Sequence, residues 1–305
     1  MGLLYVSNGL ANYLTELRRS QQIKGAFAKY VSSQVVDQMI AHPESLKLGG
    51  ERRELTILFA DLANFTTISE RLEPDVVARI INALFTELAD IVMAENGTVD
   101  KFIGDAIMAF WGAPLDDPEH ALHATRAAIA MQAAMTTRLQ SQFAAVGCAE
   151  VGLRIGLNSG SAIVGNMGSE KRFDYTAMGN AVNLASRLEG VNKFYGTRIL
   201  LSESTATLLG QAIPLRPVDR VRVKGKEDAT DIFTHCDDPQ LVRHTEIALA
   251  AYRQQDWLDS RAAWTKVMEL APQDPVAKLF LERIAELVKK SLPSDWDGTT
   301  SLEKG

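Results

Sequence analysis

Hydrophobic and polar positions along the chain divide it into three stretches. From Leu10 to Ala41 the spacing is helical: Leu10, Leu14 and Leu17 recur on one face, Gly25 interrupts, and Ser32 can cap a short second helix that holds Val35, Val36, Met39 and Ile40 and stops before Pro43. Leu46 to Gly50 reads as a linker. From Glu54 to His235 strand and helix patterns alternate. Leu55 to Ala60 is a continuous apolar run expected to be a buried strand, and Pro74 opens an amphipathic helix bearing Val76, Val77, Ile80, Ile81, Leu84 and Phe85. Thr98 to Ile103 and Ala106 to Trp111 flank Gly104-Asp105, the signature of a two-residue hairpin. An alanine-rich helix is expected over Pro118 to Phe143, and Leu153 to Gly165 reads as two strands around Asn158-Ser159-Gly160. Tyr175 onward reads as a turn entering a helix over Asn180 to Asn192, and Val218 to Val223 with Asp231 to His235 close the region as strands. The order βαββαβ is that of an α+β, ferredoxin-like sheet with its helices on one face.

After Asp238 the pattern is helical throughout. Ala248, Tyr252, Asp256-Trp257, Trp264, Leu270 and Pro272 fall at the spacing of one tetratricopeptide-like helix pair, and Pro275 to Leu287 adds a third helix. The division expected is a helical segment over 1–50, a central domain over 51–237, a helical extension over 238–290 and a disordered tail over 291–305.

Composition narrows the function. With 305 residues, 46% apolar and 23% charged, the chain is globular, and its net charge of -6 offers no basic field for nucleic acid. A polyphosphate ligand would need a local cluster of cations and metals instead. The only cysteines, Cys148 and Cys236, lack metal or redox spacing and fit a reducing, cytoplasmic setting. No apolar run reaches the roughly 20 residues that span a bilayer. The Met1-Gly2 start lacks the Ser or Thr at position six that myristoylation needs, since Val6 stands there.

Four segments carry chemistry-bearing side chains. Phe59 to Thr66 puts Asp61 where a buried strand runs into a loop whose backbone amides, at Phe65 and Thr66, could receive phosphate; an aspartate there also serves as a helix cap. Lys101 to Gly112 puts Asp105 in the hairpin turn, where it is either a turn former or, if the hairpin lies beside the first strand, a second carboxylate converging with Asp61 to bind a divalent cation. In Tyr175 to Arg187, Asn180, Asn183 and Arg187 share a helical face that is either solvated or aimed at one ligand. Val221 to Lys226 ends a strand with alternating valines and cations, a pattern that also protects sheet edges.

In this order and spacing the four segments resemble the catalytic domain of class III nucleotidyl cyclases over Glu51 to His235. The resemblance implies that Asp61, the Leu62 carbonyl and Asp105 hold two Mg²⁺ or Mn²⁺ ions. It further implies that Lys101 donates to adenine N1, Thr176 reads the exocyclic amine, Asn183 orients the ribose, Arg187 stabilises the transition state and Lys224 contacts the triphosphate. Adenine N1 accepts a hydrogen bond while guanine N1 donates one, so Lys101 favours ATP over GTP. Threonine at 176 is similar to the subgroup that includes bicarbonate-responsive cyclases. The segment from Ile23 to Arg53 resembles the entry to bacterial cyclases that follow a sensor domain. The resemblance also implies a head-to-tail homodimer in which one chain supplies Asp61 and Asp105 and the other Lys101, Thr176, Asn183 and Arg187. Guanylate cyclase and a catalytically silent nucleotide-binding homologue are the competing expectations.

Overall fold

In the computed structural model, residues 48–65, 69–148, 151–223, 228–293 and 296–302 are described. The expected N-terminal helices, with Leu10, Leu14 and Leu17, lie outside them, as do Thr66 and Lys224.

The central region opens with strand β1 (Gly49–Leu62), followed by helix α1 (Pro74–Ala94), β2 (Thr98–Ile103), β3 (Ala106–Trp111), α2 (His120–Thr136) and the short α3 (Gln140–Ala144). Then come β4 (Leu153–Ser169), β5 (Arg172–Met178), α4 (Asn180–Tyr195), β6 (Ile199–Ser202), α5 (Glu203–Leu209), β7 (Leu215–Val223) and β8 (Thr230–His235). With β9 (Thr300–Leu302) from the tail, strands pair in the order β2-β3-β1-β4-β6-β8-β7-β9, and β5 joins β4 beside that path. The βαββαβ succession and the mixed α+β class are as expected.

Alternation along β1 and β4 divides the molecule into two layers around the sheet. Leu58, Ala60, Leu62, Leu153, Ile155 and Leu157 point to a core built with α1 and α2. Leu55 and Ile57 point the other way, where Ala181 and Ala185 of α4 meet them. Helices on one face only was therefore the wrong expectation: α1 and α2 cover one face and α4 the other. Gly156 permits this, because a Cβ there would collide with the Glu189 amide and the Ala185 carbonyl.

β4 is one strand of 17 residues rather than the expected pair. Its partner on one side changes from β6, at Ile155 to Leu157, to β5, beginning at Ile163, while β1 runs along its whole other side. Continuous pairing with β1 overrides the turn chemistry of Asn158-Ser159-Gly160. The polar side chains there are buried and satisfied: Asn158 donates to the Ala181 carbonyl, and Ser159 shares hydrogen bonds with Thr56 and Thr205.

The extension forms three helices, α6 (Pro239–Arg253), α7 (Trp257–Leu270) and α8 (Pro275–Leu287), each entered through an aspartate cap at Asp238, Asp256 or Asp274. Arg216 of β7 makes a buried two-pronged contact with Asp274, at 2.5 and 3.0 Å. Part of the stretch expected to be disordered is ordered among the described residues. Thr300–Leu302 form β9, parallel to β7, and Trp296 packs between Tyr252 and Trp257. Burial of an indole together with ladder hydrogen bonds offsets the chain entropy that the polar composition suggested would win.

Candidate active site

The site lies on the α4 side of the sheet, where β1 ends. Antiparallel pairing of β1 with β3 runs Thr56↔Trp111 through Ala60↔Ile107, so the next step brings the end of β1 to the β2–β3 turn. Asp61 and Asp105 therefore converge. The pKa of Asp105 is pushed up to about 6, first by burial and then by the negative charge of Asp61. Two hard oxygen donors that repel one another create a demand for positive charge that a divalent cation meets. Among the described residues no group of three or more His, Cys, Asp or Glu side chains could enclose an ion. Such a set suits a cation that completes its coordination with substrate oxygens, the usual manner for Mg²⁺. Leu62 follows Asp61 with its side chain buried, so only its main chain is available to the site. Phe65 packs against the α1–α2 core.

Two residues that the sequence reading missed complete this corner. Arg154 of β4, opposite Asp61 in the ladder, donates through Nη2 to Asp61 Oδ2 at 2.9 Å and through Nε to Glu189 Oε1 at 2.8 Å. Its signal was a lone arginine within the buried strand Leu153–Leu157. Glu189 carries a raised pKa, with burial the largest cause and Arg154 opposing it.

A second cluster sits on β2 and β5. The Lys101 Nζ lies 3.3 Å from Asp100 Oδ1, and the Thr176 hydroxyl donates to Asp100 Oδ2 at 2.5 Å. The structure thus brings Lys101 and Thr176 together through Asp100, a residue not singled out from sequence. Tyr175 and Thr176 were read as a turn entering a helix; they lie instead in β5, paired with Asn166 and Gly165 of β4.

The third group is on α4. Asn180 and Asn183 are exposed and Arg187 half-buried, while Ala181, Ala185 and Leu188 form the buried stripe. Gly179 precedes the helix at φ 139, a conformation that favours glycine. Glu189, bound to Arg154, follows Arg187 by two positions and Asn183 by six. At 100° per residue these separations are about 200° and 240° around the helix. Asn183 and Arg187 thus project away from the side that faces Asp61 and Asp105 of the same chain.

The family model for the adenylate and guanylate cyclase catalytic domain matches residues 50–235. Adenylate cyclase 1 of Rhizobium meliloti is 37% identical over 238 residues, which cover 77% of this chain and 35% of that protein. This chain therefore spans about a third of that relative's length. The crystal structure of the adenylyl cyclase CyaB from P. aeruginosa is 35% identical with a TM-score of 0.58, covering 63% of this chain and 97% of that one. The guanylyl cyclase Cya2 is 34% identical with a TM-score of 0.56 and the same coverages.

Proposed function

The chain belongs to the adenylate and guanylate cyclase catalytic domain family, and from that premise we propose that it is an adenylate cyclase, converting ATP to 3',5'-cyclic AMP and pyrophosphate in a homodimer. The observation that carries this reading is the mutual approach of Asp61 and Asp105 on the α4 side of the sheet. Overall likeness does not choose the base, because an adenylyl and a guanylyl cyclase resemble the chain about equally. Lys101 chooses it. An ammonium donates to adenine N1 and opposes the N1 proton of guanine.

Two Mg²⁺ or Mn²⁺ ions, when bound, would lower the pKa of the ribose 3'-hydroxyl and neutralise the β and γ phosphates. Asp61, Asp105 and the Leu62 carbonyl would hold them. Arg154, held by Asp61 and Glu189, would supply positive charge beside the ions. Asn183 orients the ribose, and Arg187 and Lys224 offset charge that develops on the α-phosphorus and the leaving pyrophosphate. The position of Asn183 and Arg187 on the side of α4 turned from their own aspartates supports a site shared head-to-tail between two chains. No helix among the described residues is long and apolar enough to cross a membrane. A cytoplasmic setting, a sensor domain ahead of the cyclase, one tetratricopeptide-like unit in α6–α8 and a bicarbonate-responsive site around Thr176 belong to the same reading.

Product analysis with ATP and GTP, each with Mg²⁺ and Mn²⁺ and with or without bicarbonate at fixed pH and ionic strength, tests it. The expected result is metal-dependent cyclic AMP from ATP, nearly abolished by Asp61→Ala. Predominant cyclic GMP would make the chain a guanylate cyclase, and nucleotide binding without product a silent homologue. A rate unchanged by bicarbonate removes that part alone.

A further inference from the structure

The pairing of β2 with β3 has one irregularity, and it falls on Asp100. Val99 pairs with Ala109 and Lys101 with Met108, so Asp100 is the extra residue of a bulge. Neighbours in a regular strand point to opposite faces, and a bulge re-aims one of them. Here it sets the Asp100 carboxylate beside the Lys101 ammonium and turns it toward β5. The carboxylate has no exposed surface. Its Oδ2 receives the Ala177 amide at 3.3 Å as well as the Thr176 hydroxyl at 2.5 Å. An amide N–H can only donate, which fixes Oδ2 as an acceptor, and the hydrogen in the Thr176 contact must be the threonine's own. A threonine hydroxyl has one proton and two lone pairs. With the proton committed, Thr176 can only accept from any further partner.

We propose that Asp100 is a positioning residue for substrate choice: by taking the only proton of Thr176 it holds that hydroxyl as an acceptor, so the purine must carry an amine rather than a carbonyl at C6. The proposal rests on the adenylate cyclase reading. A free threonine hydroxyl would turn and serve either substituent, accepting from an amine or donating to a carbonyl. Thr176 is 3% exposed, so only an edge of it can meet a base, and the orientation of its hydroxyl decides what that edge offers. The same carboxylate keeps Lys101 at hand as a donor. One bulge thereby presents donor and acceptor together, the complement of adenine N1 and its amine and the mismatch of a base with N1–H and a C6 carbonyl. Burial raises the pKa of Asp100, and Oδ2 accepts whether or not Oδ1 carries a proton.

The test compares kcat/KM for ATP and ITP in the whole chain, with released pyrophosphate as the common readout. Hypoxanthine has the N1 proton and C6 carbonyl without the 2-amine of guanine. Wild type should prefer ATP. Asp100→Ala should lower that preference by about tenfold or more, partly through faster ITP turnover, a gain that general damage cannot produce. Asp100→Asn, whose amide oxygen can replace Oδ2, should stay within about threefold of wild type. Adding Asp100→Ala to Thr176→Val should lower the preference no further, since the carboxylate acts through the hydroxyl. If Asp100→Ala does not fold, Asp100→Leu gives the same reading without an acceptor. A wild type that prefers ITP or GTP overturns both this proposal and the adenylate cyclase reading. A wild type that prefers ATP, with the preference undiminished in a folded Asp100→Ala chain or lost equally in Asp100→Asn, overturns the role of Asp100 alone.

Discussion

Asp105 shows what the convergence of two carboxylates does to the fold that holds them. Its pKa, raised to about 6 from the ordinary 3.8, means that the fold disfavours the ionised side chain. The sign follows by linkage: a raised carboxylate pKa is a stability penalty fully present above the folded value and absent below the unfolded one. In chelator, Asp105→Asn should therefore melt above wild type at pH 7.5, by about 1–3 °C given the partial exposure of the group. The gap should close between pH 6 and pH 4. Excess Mg²⁺ or Mn²⁺ should raise wild type and leave the variant where it was. Thermal melts across this pH range decide the matter, and a variant less stable than wild type at pH 7.5 without metal contradicts the arrangement. The positive charge of Arg154, paired with Asp61, opposes the rise.

Among the elements, α4 carries the heaviest set of constraints. It must lie close enough to β4 to bring Glu189 to Arg154, and Gly156 sets that distance. Gly156→Ala forces a Cβ against the α4 backbone and should cost on the order of 1–3 kcal/mol in urea denaturation. Turnover should fall at the same time, because Asn183 and Arg187 ride on the displaced helix; full activity with wild-type stability would show that α4 tolerates the shift. How far sequence could foresee such elements depended on whether the governing contact was local. The β2–β3 hairpin was legible to the residue, since Gly104-Asp105 and the two short strand-forming runs around it contain their own instructions, and Pro74 announced α1. The length of β4 was not, because what carries it through Asn158-Ser159-Gly160 is β1, about a hundred positions away. β5 was hidden although its contact is local: it turns back on the end of β4 at Ser169↔Arg172, and the intervening Glu170-Lys171 carry none of the residues that mark a hairpin turn. Asp61, Asp105, Asn183 and Arg187 each had a plain structural alternative when read singly, and it was the order and spacing of the four segments, through their resemblance to a family, that gave them and Lys101 their expected roles. Asp100 and Arg154 escaped notice because a bulge and a cross-strand register give them their partners.

At the level of the whole molecule the extension and the catalytic domain share one interior. Leu188, Val191 and Tyr195 of α4 are buried with Ala248, Tyr252, Trp264 and Phe280 of α6–α8. Asp219 of β7 receives Tyr195, Arg283 and Thr300 at a single carboxylate oxygen. The helix that bears Asn183 and Arg187 is thus braced from behind by the extension, while Asn183 on its other side is exposed. If sites are shared head-to-tail, an Asp61→Ala chain and an Asn183→Ala chain should each be inactive alone. An equal, freely exchanging mixture should recover roughly a quarter of wild-type activity, since half the dimers are mixed and each has one intact site of two. A mixture that stays inactive after exchange is demonstrated with differently tagged chains would mean that each chain builds its own site.

The bond between Thr300 and Asp219 spans 81 positions of sequence, and that separation has a consequence in time. A ribosome adding about 5–20 residues per second needs roughly 4–16 s to travel from one to the other. For those seconds the edge of β7 stands without β9, and Asp219 Oδ2 lacks the Thr300 hydroxyl that donates to it. Once β8 has been made and paired, the nascent protein therefore passes through an interval in which the sheet is complete but for β9 and its flank is open, and the speed of translation sets how long that interval lasts.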